Sequence, residues 1–166
     1  EKENFQALTG LSKSNILHCN EAGEWVLFHS DEFGFNNAKN YFQIEDIKVV
    51  GIGDSFTSGY CLSDSLAYIS FIRNKYPKTV NLGVTATGPL RQLAILKEYA
   101  ISLKPKVLLW NFSEGSDLQE LMTENQNIIL KQYLNFGFNQ GLMSRQKFID
   151  SLYHEYFDSF SVEKKE

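Results

Sequence analysis

Cys19 and Cys61 are the only thiols in these 166 residues. They form neither a CxxC pair nor a Cys/His metal spacing. Standing this far apart they make a poor case for a disulfide framework, so they leave the compartment open. A basic run is also missing. The 16 Lys and Arg stand against 20 Asp and Glu, a net charge of -4, which excludes a phosphate-tracking surface and with it a nucleic-acid partner. No stretch approaches the roughly 18 consecutive apolar residues of a membrane span, and Glu1-Lys2-Glu3-Asn4 does not open a signal peptide. There is no internal repeat or low-complexity tract. Cofactor signatures fail as well: Gly51-x-Gly53 lacks the third Rossmann glycine, since Phe56 stands in its place, and no Gly-Lys-Ser/Thr makes a P-loop. Neither a cofactor nor a metal is expected.

What is present is enough for one packed domain, with 43% hydrophobic and 14% aromatic residues. Residues 1–45 read as a lead-in. Little regular structure is expected before residue 25, then a short strand at Trp25 to His29 and an ordered turn over Ser30 to Asn37. Residues 46–118 read as an α/β core. Asp46 to Gly53 suits a central parallel strand buried on both faces, Ser63 to Tyr76 a crossover helix, and Val80 to Val84 a second strand. Pro89 to Leu103 reads as a second helix, and Pro105 to Phe112 holds a third strand, Val107 to Trp110. The order β-α-β-α-β predicts a parallel sheet with right-handed crossovers.

Residues 119–166 read as helical. Ile129, Leu130, Tyr133 and Leu134 form an apolar face, Met143 to Phe157 is amphipathic, and the charged tail Ser161 to Glu166 is expected to fray. The aromatics Tyr133, Phe136, Phe138, Phe148, Tyr153, Tyr156, Phe157 and Phe160 are expected in the core, with self-association following wherever an unfinished sheet leaves some of them exposed.

One segment carries chemistry. Gly53-Asp54-Ser55-Phe56-Thr57-Ser58-Gly59 falls where the central strand hands over to a helix, so Ser55 stands at the carboxyl edge of the sheet, where open α/β sheets place ligands. The two glycines permit a tight path, Asp54 supports the turn, and the Ser55 N–H can face a developing oxyanion.

Gly-Asp-Ser-Phe-Thr-x-Gly after an apolar strand resembles the first block of SGNH (GDSL-type) hydrolases, whose serine is the acyl-accepting nucleophile. The resemblance covers about Ile47 to Leu118. It implies a three-layer, flavodoxin-like α/β fold with a parallel sheet, here truncated and followed by extra C-terminal helices, and it implies serine esterase or acyltransferase chemistry. The second block supplies a backbone donor after the second strand. In Asn81-Leu82-Gly83-Val84-Thr85-Ala86-Thr87-Gly88-Pro89 the family glycine falls at Ala86, with Gly88 as the alternative, and the segment also reads as a plain turn into a helix with Pro89 near its start. The third block falls on Glu114-Gly115-Ser116-Asp117, which puts Ser116 at the family asparagine and makes it a weaker donor. Asp117 is expected to cap the following helix. Asp-Glu-x-Gly-Phe at Asp31 to Phe35 is similar to the lead-in of some envelope-associated SGNH proteins that act on polysaccharide acyl groups.

The family base lies in an Asp-x-x-His block, and none is present. Asp150-Ser151-Leu152-Tyr153-His154 has one residue too many and falls in a predicted helix, while His18 and His29 precede the nucleophile and are expected to pack or face solvent. The resemblance thus implies the nucleophile-bearing part of a longer serine hydrolase, inactive by itself, taking a small-molecule or glycan ester. Cell-envelope association would be a property of the parent protein. The rival reading is a non-catalytic SGNH-like module that binds a glycan or protein at the same sheet edge.

Overall fold

The computed structural model describes residues 5–21 and 23–163. Its centre is the strand β3 (Val49–Ile52), four consecutive buried residues of the kind that can face helices on both sides. It pairs in parallel with β4 (Thr79–Asn81), Val50 opposite Val80, and with β5 (Val107–Trp110), Val50 opposite Leu108. The order is β4-β3-β5, so the chain steps from the central strand to one neighbour and then crosses to the other. This is a mixed α/β architecture around a small parallel three-stranded sheet, as the β-α-β-α-β pattern predicts.

The helices are α1 (Ser55–Ser58), α2 (Tyr68–Lys75), α3 (Pro89–Ile95), α4 (Ile101–Leu103), α5 (Asp117–Glu124), α6 (Ile128–Gln132) and α7 (Gln146–Glu163). Pro89 opens α3, where its missing N–H loses nothing. A π segment over Leu96–Ala100 joins α3 to α4 and turns Glu98, Tyr99 and Ala100 inward. The first crossover helix starts later than expected, because a 3₁₀ turn at Asp64–Leu66 precedes α2. Val50, Ile52, Val80 and Leu82 meet Leu90, Ala94, Ile95 and Tyr99 in the main core.

Three expectations need correction. The segment before residue 25 is not irregular: β1 (Asn15–Cys19) pairs antiparallel with β2 (Val26–His29), with Leu17 opposite Leu27. Asn-Ile-Leu-His-Cys carries little strand propensity, and its partner β2 supplies the hydrogen bonds that hold it extended. Cys19 and Cys61 are joined in a disulfide, their Cα atoms 5.4 Å apart, because the hairpin folds back over the turn after α1. The C-terminal aromatics are only partly core: Tyr133 is buried and Phe138 and Tyr153 pack on the core, but Phe136, Phe148, Tyr156, Phe157 and Phe160 are exposed. One face of α7 meets the protein through Ile149 and Tyr153, which leaves the row four residues apart (Phe148, Leu152, Tyr156, Phe160) facing outward.

Of the tail expected to fray, residues up to Glu163 continue α7, and Lys164 to Glu166 lie outside the described residues. No helix among the described residues is long and apolar enough to cross a membrane.

The turn Asp31 to Asn37 is bolted to the sheet. Asp31 accepts hydrogen bonds from the Phe33 and Phe35 N–H groups and from Asn37 Nδ2. Asn37 in turn donates to the Asn81 carbonyl and accepts from Asn81 N–H and from the Arg73 guanidinium. Asn36 donates to the Ser58 carbonyl at the end of α1. The lead-in therefore braces both β4 and the serine turn.

Candidate functional site

Ser55 is the first residue of α1, directly beyond the carboxyl end of the central strand. The Asp54 carboxylate accepts from Phe56 N–H at 3.0 Å, holding the turn open before the helix starts. Gly59 ends α1 with φ 76°, a left-handed conformation that glycine adopts without a Cβ clash. The Ser55 carbonyl is fixed by Tyr60 N–H at 3.0 Å and by the Ser58 hydroxyl at 3.0 Å. The Ser55 hydroxyl has no hydrogen-bond partner among the described residues. Its residue is partly buried and lines a cleft of about 550 Å³ with Phe56, Tyr60, Leu62, Leu66 and Tyr68.

Ala86 sits at φ 56°, and no hydrogen bond holds its N–H among the described residues. A left-handed alanine is strained by about 1 kcal/mol, and this is the position where the block pattern puts glycine. The Gly88 N–H, by contrast, donates to Glu124 Oε1 at 2.7 Å, and the same carboxylate takes the Leu90 and Arg91 N–H groups. Glu124 thus caps the start of α3 and occupies the Gly88 amide. A Cβ on Gly88 would come within 2.7 Å of Glu120 Cβ, so this glycine serves the close approach of α5 to α3.

Ser116 precedes α5 and gives its hydroxyl proton to Ser113 Oγ at 3.1 Å. Asp117 does not cap the helix as expected. It is the first helical residue, fully buried, and its carboxylate accepts from the preceding Ser113 N–H at 2.9 Å, closing the turn that leads in from β5. Burial raises its pKa, with the nearby Asp54 carboxylate adding to the effect. Glu120 is raised for the same reasons, by burial first and then by Asp117, Asp54 and Glu124. Asp54 is felt at both positions, so the serine turn and α5 lie within electrostatic reach of each other.

Ala86 and Ser116 line one cavity of about 510 Å³, together with Gln6, Arg91, Glu120 and Asn127. Ser55 lines a different cleft, so the structure brings Ala86 and Ser116 together in one cavity and does not bring Ser55 into it. None of the histidines is hydrogen-bonded to Ser55 among the described residues. His18 packs between Phe28 and Tyr60, ring centroids 4.8 and 4.7 Å away, and burial lowers its pKa. His29 Nδ1 pairs with Asn15 Oδ1 at 3.0 Å on the exposed face of the hairpin, and His154 is exposed on α7. No group of three or more His, Cys, Asp or Glu side chains able to hold a metal occurs among the described residues.

The sequence reading missed Arg91, Glu120 and Glu124. Its signal was there: Asp117, Glu120 and Glu124 share one face of a helix by their spacing of three and four, and that face turns inward while Leu118 and Met122 point out. By pattern alone an acidic face on a helix reads as solvated. A scan against protein-family models found no match, and no curated protein matched the chain.

Proposed function

We propose that this chain carries the nucleophile part of an SGNH-type serine esterase or acyltransferase, built on a three-layer, flavodoxin-like α/β fold and acting on an ester of a small molecule, a lipid or a glycan. The observation that carries the reading is Ser55 itself: a hydroxyl without an internal partner, on the first turn after the central parallel strand, opening into a cleft. Ser55 Oγ would add to the ester carbonyl carbon while its proton passes to a base. Collapse of the tetrahedral adduct would expel the protonated alcohol and leave an acyl-serine for water or a second alcohol to take. The Ser55 N–H would be the first oxyanion donor. The N–H of Ala86, which lines a different cavity, would join it only if the acyl group reached between the two openings, and the Ser116 hydroxyl would first have to give up its bond to Ser113 Oγ.

That no base is hydrogen-bonded to Ser55 among the described residues favours a second reading, a non-catalytic module that binds its ligand at the same sheet edge. A serine without a base loses several orders of magnitude in rate. Labelling with a fluorophosphonate separates the two. Under the catalytic reading Ser55 is modified and Ser55→Ala is not, as read by mass spectrometry. Unmodified Ser55 under conditions that label an ordinary serine hydrolase would favour the binding module.

A further inference from the structure

The cleft beside Ser55 is walled by apolar side chains that stand in the open. Phe56, Leu62 and Leu66 all line it and all are exposed, and large apolar groups left together in water mark places where something binds. Tyr60 and Tyr68 add their rings, and the Tyr68 hydroxyl is already shared with Thr57 Oγ1 at 3.0 Å. Cys61, also in the lining, has its sulfur bonded to Cys19 and so holds no ionisable thiol. The same bond ties the hairpin to the cleft. With the hairpin comes Glu21, just beyond Cys19, which is exposed and is the one charged side chain among the described residues of the lining.

From this lining we infer that the cleft takes an uncharged alkyl chain, set against Phe56, Leu62 and Leu66, with Glu21 turning away ligands of negative charge. An alkyl chain removes these side chains from water without stranding a polar group of its own. A sugar fits worse. Beyond the hydroxyls of Ser55 and Tyr60 and the Glu21 carboxylate, the lining has no side chain free to replace the water that its hydroxyls would give up. An anion is opposed by Glu21, and no Lys or Arg among the described lining residues offsets that charge. Size points away from an acetyl group: about 550 Å³ falls inside the range of roughly 300 to 1,000 Å³ for small-molecule sites, and two carbons would leave most of it to water. That the chain belongs to an ester, with its carbonyl carbon at Ser55 Oγ, rests on the serine-hydrolase reading above. Binding of the chain is measured without it.

The test is amide-resolved NMR titration of the full chain carrying Ser55→Ala, which reads binding without turnover. The ligands are acetamide, butanamide and hexanamide, with hexanoate as the anion of the same chain length and maltotriose as a polyol. Saturable shifts at the Phe56, Tyr60 and Leu62 backbone amides are expected, with affinity rising about 2- to 4-fold per methylene from butanamide to hexanamide. Acetamide and maltotriose should leave these signals in place. Phe56→Ser and Leu66→Ser, both at exposed positions, should each weaken hexanamide about 3-fold or more. At low ionic strength hexanoate should bind more weakly than hexanamide, and Glu21→Lys should reverse that order. Each variant's spectrum shows whether it is folded. The inference is overturned if hexanamide leaves these amides unmoved at about 20 mM, a concentration that reveals even millimolar affinity. It is overturned equally if affinity does not rise with chain length, or if the shifts fall on β5 or α7, the other exposed apolar faces, instead. An unchanged order in Glu21→Lys overturns the role given to Glu21. Fluorophosphonate labelling of the chain with Ser55 intact keeps the two ideas apart. Hexanamide binding without Ser55 labelling leaves the cleft assignment standing and removes the hydrolase, whereas labelling without hexanamide binding does the reverse.

Discussion

Asp31 is a carboxyl held where its charged form is disfavoured. It is 2% exposed, and burial pushes its carboxyl up to about 6 from an ordinary value of 3.8, against the opposing pull of the donors at Phe33, Phe35 and Asn37. A carboxyl with a raised folded pKa binds more protons folded than unfolded, so its contribution to stability is fully present below about 4 and lost as pH rises through about 6. The loss amounts to about 3 kcal/mol at most. Urea unfolding of the protein and of Asp31→Asn should therefore diverge: between about pH 7 and pH 5 the parent gains stability relative to the variant. Equal slopes would mean that the three donors keep Asp31 ionised throughout. Ala86 offers a test of a different kind. Its φ of 56° is held by the turn after β4, so Ala86→Gly should raise stability by up to about 1 kcal/mol, measured by the same unfolding midpoint. An unchanged or lower midpoint would show that the gain in unfolded-chain freedom outweighs the relief of strain.

The hairpin β1–β2 is an element that stands apart from the main sheet and is held by its edges. The disulfide closes a span of 42 residues and His18 packs on Tyr60, so the hairpin is tied to the turn that follows the serine. Loop-closure entropy for a span of that length puts the disulfide at about 4 kcal/mol or somewhat less. Cys19→Ser and Cys61→Ser should each lower stability by about 2 to 4 kcal/mol in urea. Hydrogen exchange should locate the change in the β2 amides before the β3 amides, and an equal loss across both would mean that the hairpin and sheet unfold as one unit. The helix α5 shows the opposite logic, an element placed by its polar face: Asp117 closes a turn, Glu124 caps α3, and Leu118 and Met122 remain outside.

At the scale of the molecule, the sheet is lopsided. β3 is buried throughout, but β5 on its flank exposes all four residues, Val107 at 47%, Leu108 at 38%, Leu109 at 37% and Trp110 at 41%. Parallel strands are ordinarily covered on both faces, and β5 contains no charge, proline or bulge that would deter another strand from pairing with it. The chain should therefore associate as its concentration rises, and Leu109→Lys should shift sedimentation toward the monomer. Sedimentation of the parent as a monomer at every concentration would rule this out. The exposed row of α7 could drive association in place of β5, and in that case Leu109→Lys would have no effect while Tyr156→Lys would.

The three strands of the sheet and the helix pattern between them were legible because each rests on local information: a short apolar run, a glycine turn, a proline at a helix start. So was the serine turn, whose residues Gly53 to Gly59 make their own hydrogen bonds within seven positions. What could not be read was anything that depends on segments far apart meeting. β1 becomes a strand because β2 pairs with it, and Cys19 meets Cys61 because the hairpin folds over α1. Gly88 loses its free N–H to a glutamate 36 residues later. Arg91 and Glu120, 29 positions apart, line the same hollow only because α3 and α5 pack together. Sequence alone determined the three strands of the parallel sheet, the helical stretches between them and the tight turn at Ser55, since those follow from side-chain pattern and backbone freedom. Tertiary structure decided which polar groups are satisfied and which are buried without a partner, since burial and pairing belong to the packed chain.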